Sequence, residues 1–183
     1  MKTTQQTYIA LLRGINVGGH KKIKMTDLKA SLEKLSFNKV TTYIQSGNVV
    51  FNASVGSVTA LETRIQNQIA NDFGFEVPVI IKTPVELKTV YANNPFSKNP
   101  LNDEKLFYVV FLKQQPQQEF IAHLESYNYS PEAYIINEKI VYFYAANGAA
   151  NAKMGNAFFE SKLKIIATSR NWRTLHKLIE LSH

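Results

Sequence analysis

Residues 8–24, Y-I-A-L-L-R-G-I-N-V-G-G-H-K-K-I-K, decide how the chain is read. The first five are apolar without alternation, which suits a central strand covered on both faces. The strand runs into a glycine-rich loop carrying Arg13, His20, Lys21, Lys22 and Lys24, with no acidic residue among them. A helix follows: Thr26 is its expected cap, Asp27 lies in its first turn, and Leu28, Leu32 and Leu35 recur along one face. Glycine-permitted backbone N–H groups, a helix start and unopposed cations together form a cradle for a phosphate or carboxylate.

Working outward, stretches 40–45 and 48–52 are rich in β-branched and aromatic residues and meet at Ser46-Gly47, a hairpin turn. Thr59 with Glu62 reads as a capping box opening a second helix, whose apolar face is Leu61, Ile65, Ile69 and Phe73 and which Gly74 closes. A strand over 77–82 follows, and Pro78 assigns it to an edge. The order β-α-β-β-α-β is the split pattern of ferredoxin-like folds. A third helix opens at Thr83-Pro84 with Glu86 completing another box, and Leu87, Val90 and Tyr91 form its buried side.

Residues 93–104 are polar, bear prolines and lack periodicity, and are expected to link two halves. Past them, 106–112 is again a wholly apolar strand, Pro116 starts a helix, and 133–137 with 140–144 form a second hairpin. A helix around 155–163 leads through a short run to Thr168 or Ser169 as cap of the last helix. That helix buries Trp172, Leu175, Leu178 and Ile179. The expected class is therefore α+β in two small domains, 1–92 ferredoxin-like and 105–183 a β-α-β-β unit followed by C-terminal helices, related as a structural pseudo-repeat.

Composition narrows the functional classes. The 183 residues, 45% of them hydrophobic, can bury an ordinary core, and no apolar run approaches membrane-spanning length. The chain has no cysteine, which removes disulfides, thiolate zinc sites and a cysteine nucleophile and fits a cytoplasmic setting. Histidines 20, 123, 176 and 183 lack ligand spacing, so no metal is expected, and no cofactor is implied. A net charge of +7 favours anionic partners: a small anionic molecule or a nucleic-acid backbone.

Two stretches, Y-I-A-L-L-R-G-I-N-V-G-G-H-K-K-I-K-M-T-D-L (8–28) and T-Y-I-Q-S-G-N-V-V-F (42–51), resemble the signature of the bacterial domain-of-unknown-function family 1697. T-S-R-N-W-R-T (168–174) is similar to that family's C-terminal motif, and N-P-F (94–96) also resembles it. The resemblance implies a bacterial protein built from two small α+β halves, and it implies no activity.

Established phosphate motifs do not fit the loop. Gly14 and Gly19 have the G-x-x-x-x-G spacing of a P-loop, but position 20 is histidine, no Ser or Thr follows the lysine, and the helix starts too late. The G-x-G-x-x-G turn of dinucleotide sites is absent. An RNA-recognition domain needs base-stacking aromatic residues on an open sheet face, whereas N-V-V-F-N and a doubly apolar first strand indicate a covered sheet. The expected ligand contacts are Arg13, Asn16, Gly18, Gly19, Lys21, Lys22 and Lys24, with Ser46 and Asn48 of the hairpin tip. Arg170, Asn171 and Arg173, expected in and near the first turn of the last helix, complete a joint site, since arginine there suits a bidentate anion contact. Three readings stay open: an anion-binding protein, an enzyme on a phosphorylated small molecule with His20 as base, and an interaction module without a small ligand.

Overall fold

Five consecutive apolar residues need cover on both sides, and Tyr8–Leu12 have it, each at most 2% exposed. They lie in β1 (Gln5–Leu12) of the computed structural model, which describes residues 4–183. After β1 come α1 (Met25–Glu33), β2 (Asn38–Tyr43), β3 (Asn48–Ser54), α2 (Val58–Phe73), β4 (Val79–Lys82) and α3 (Pro84–Ala92). All pairings are antiparallel and the sheet order is β2-β3-β1-β4. Tyr8, Ala10 and Leu12 point to the side of β1 where α1 and α2 pack, giving a core with Leu28, Leu32, Phe51, Ile65 and Ile69. The edge position expected from Pro78 holds for β4.

The chain divides into two compact units, the first running to Lys88 and including Lys177–His183, the second Thr89–His176. In the second, two 3-10 turns, Pro95–Lys98 and Glu104–Leu106, precede β5 (Phe107–Leu112), α4 (Gln118–Glu125), β6 (Ala133–Asn137), β7 (Ile140–Tyr144), α5 (Asn156–Leu163), β8 (Ala167–Asn171) and α6 (Trp172–Leu181). The sheet order β6-β7-β5-β8 repeats that of the first unit. The repeat reaches individual hydrogen bonds. Leu12 and Arg13 N–H donate to Gly47 and Pro78 carbonyls, while Leu112 and Lys113 N–H donate to Lys139 and Ile166 carbonyls.

Several local expectations are corrected. Residues 167–171 are a strand paired to β5, with Val109 opposite Arg170, so neither Thr168 nor Ser169 caps a helix and Arg170 is not in its first turn. The cap of α6 is Asn171, whose Oδ1 accepts from Thr174 N–H at 2.8 Å. Helix α2 is capped by Ser57 and not Thr59, because Glu62 turns inward and accepts from Ile81 N–H at 3.0 Å. Helix α1 begins at Met25, so Thr26 sits inside it, and α4 begins at Gln118, past Pro116. The reciprocal Thr83–Glu86 box is present as expected.

Candidate functional site

The repeat isolates what is special about the opening stretch. Twelve residues connect β1 to α1, whereas five connect β5 to α4 at the equivalent place. The second unit closes with five residues, so part of the longer loop is left over from closure.

The base of the loop is built into the first unit. Ile15 and Ile23 are buried pegs in its core. Asn16, at φ +54°, pairs with Ile23 through both ends of its amide: Oδ1 accepts from Ile23 N–H and Nδ2 donates to Ile23 C=O, each at 2.9 Å. Nδ2 also donates to the carbonyl of Gln45 at 2.9 Å, tying the loop to the β2–β3 hairpin tip. Gly47 lets that tip lie flat on the base, since a Cβ there would meet Leu12 Cβ at 2.7 Å and Ile15 Cδ1 at 2.8 Å. Asn48 is fully buried and donates to Tyr43 C=O and Ser46 Oγ at 3.0 Å. Asn16, Ser46 and Asn48, named from the sequence as ligand contacts, thus form the frame of the loop.

Beyond the frame is an exposed tip. Val17 and His20 close a turn through His20 N–H to Val17 C=O at 3.1 Å, and Gly18 and Gly19 supply the two positive φ angles it needs. Among the described residues the N–H groups of Gly18, Gly19 and Lys22 have no protein acceptor. Lys21 folds back, its Nζ 2.6 Å from the carbonyl of Glu76. The side chains of His20, Lys22 and Lys24 are exposed and, among the described residues, make no hydrogen bond or ion pair. Arg13 is half-buried at the strand end. Lys24 caps α1 without a side-chain bond, and Asp27 is the acidic residue of the first turn. Nothing orients His20 as a catalytic base requires, since no carboxylate or carbonyl receives its ring N–H among the described residues.

Two features, one in the tip and one in the neighbouring hairpin, escaped the sequence reading. Ile44, 47% exposed, holds φ +48°, a conformation that a β-branched residue adopts only under strain. Val17 is 63% exposed beside Gly18. Val17 thus sets an exposed apolar group in the cationic tip and Ile44 another just after β2, and no periodicity marks either of them as exposed.

The C-terminal candidates fall in the second unit and separate from one another. Arg170 is buried in β8, where its Nη1 donates to Thr168 Oγ1 and Ser169 C=O at 2.7 Å, and burial pushes its pKa down to about 10. Asn171 and Arg173 are exposed and, with Tyr91, Lys105 and Trp172, line a cleft of about 340 Å³. Tyr91 and Lys105 also went unread, the first as a buried helix residue and the second as just beyond a linker. Among the described residues no three His, Asp or Glu side chains group to hold a metal, and no helix is long and apolar enough to cross a membrane.

The conserved bacterial protein SP0830 from Streptococcus pneumoniae has a similar fold. The likeness covers 98% of this chain and 100% of that one at a TM-score of 0.75, with 23% identity. A comparison with curated proteins returns no match. The profile of a family described as protein of unknown function (DUF1697) matches residues 5–142, from the start of β1 into β7. The chain belongs to the DUF1697 family.

Proposed function

We propose that the protein binds an anionic ligand at the tip of the β1–α1 loop: a nucleotide, a phosphorylated metabolite or a nucleic-acid backbone. The contacts are the N–H groups of Gly18 and Gly19 and the ammonium groups of Lys22 and Lys24, with Arg13, His20 and Lys21 adding positive potential. The observation that carries this reading is a loop lengthened to twelve residues, where its counterpart has five, and braced at its base by Asn16. A braced loop has already met the ordering cost that a mobile one meets on binding. The frame presenting it, with β3 and β1 inside the sheet, is of the ferredoxin-like kind. We take the setting to be the bacterial cytoplasm, where such anions are plentiful.

The test uses inorganic pyrophosphate and a mixed-sequence single-stranded oligonucleotide across a salt series. Binding is expected to saturate, and the Lys22→Ala/Lys24→Ala double variant to weaken it about tenfold or more. For the oligonucleotide, log affinity falls with log salt by about 0.7 for each phosphate contacted. Affinity indifferent to salt, or a double variant that binds like the parent, overturns the reading.

A further inference from the structure

We infer that the second unit carries a separate site, the cleft beside the start of α6, for a planar ring bearing an anionic group. Its volume of about 340 Å³ is that of a small-molecule pocket. One side is aromatic: Tyr91 stacks on Trp172 with centroids 4.5 Å apart and planes 14° apart, and the His176 ring lies 5.5 Å from Tyr91 at 33°. Trp172 is a buried floor, held edge-on by Phe107 at 5.9 Å, whereas Tyr91 is half-exposed and His176 exposed. The exposed edges and faces of the Tyr91 and His176 rings suit a flat ligand.

The cleft is also cationic. Lys105 and Arg173 line the cleft with one carboxylate, Glu104, and among the described residues neither cation has a hydrogen bond or ion pair through its side chain. The Asn171 Oδ1 is occupied in capping α6, which leaves the amide's two N–H donors unspent. The arginine fork matches a phosphate or carboxylate in two bonds, and the lysine adds a point charge. The ligand class is therefore a mononucleotide or an aromatic carboxylate, which share a flat ring and an anion. This site does not depend on the β1–α1 loop.

Trp172 is the chain's only tryptophan, so fluorescence excited at the red edge of its absorption reports on this cleft alone. Full-length protein is titrated with adenosine monophosphate, with 4-hydroxybenzoate, with adenosine and with inorganic phosphate. Saturable quenching by either of the first two supports the site, and the better of them identifies the source of the ring. Adenosine, lacking the anion, is expected to bind about tenfold more weakly or worse. Phosphate, lacking the ring, is expected to compete without quenching fully. The exposed pair Lys105→Ala and Arg173→Ala is expected to weaken quenching about tenfold with an unchanged circular dichroism spectrum, while Lys22→Ala/Lys24→Ala leaves it alone. Quenching by neither ring-bearing anion, or quenching that survives the Lys105/Arg173 changes, overturns the inference. Failure of the loop site with pyrophosphate leaves this result standing, and the reverse holds too.

Discussion

Ile44 holds φ +48° with about half of its surface exposed and outside the core cluster of the first unit, so little buried surface offsets its backbone strain. Asparagine adopts that conformation more readily, and no core contact is lost with the isoleucine. Ile44→Asn is expected to raise stability by about 1 kcal/mol, read as a higher urea midpoint at unchanged slope. A lower midpoint would show that the isoleucine packs usefully where it stands. Asn16 is the opposite case, a polar residue that sequence inspection marks as a ligand contact because it lies among glycines and lysines. Its three amide bonds to Ile23 and Gln45 make it a brace, and only the folded path of the chain reveals those partners.

At the scale of elements, α1 and α2 are joined through Asp72. Its carboxyl is held down at about 2 by Ser31, Gln68 and Lys34. The Ser31 hydroxyl makes no bond of accepted geometry, so we assign the effect mainly to Gln68 and Lys34, both 2.9 Å away. A carboxylate depressed by folding adds stability above its unfolded pKa of 3.8 and loses it as pH falls towards 2. Asp72→Asn is therefore expected to melt below the parent at pH 7, with the gap closing between pH 4 and 2. A gap constant over that range would place the carboxylate's role elsewhere.

Local pairings are legible in the sequence and distant ones are not. The Thr83–Glu86 box was legible because both partners lie within one turn. The Thr59–Glu62 pattern misled because Ile81 N–H, distant in sequence, captured the Glu62 side chain. Strand β8, A-T-S-R-N, lacks the apolar run that marks β1 and β5, and its pairing with β5 is set by topology. Arg170 accordingly passed for a helix-start residue and is a buried strand residue.

The molecule as a whole is one β-α-β-β-α-β plan carried out twice, and the comparison between its halves is more informative than either alone. The half closed by five residues shows that the tip of the other half's loop is not required for closure. Replacing residues 17–22 with a two-residue turn, while keeping Ile15, Asn16 and Ile23, is expected to change stability by no more than about 1 kcal/mol. The same change is expected to abolish pyrophosphate binding. Circular dichroism with a urea titration checks the first outcome, and calorimetry the second. Collapse of the fold would mean that the tip contributes to the core from outside it.

The amide of the Asn16 bracket bonds only to main-chain groups, and those are the same whatever side chains occupy positions 17–22. Frame and tip are thus separable. The tip is an interchangeable cassette, and its preference for a ligand can be rewritten, by descent or by design, while the bracket keeps its shape.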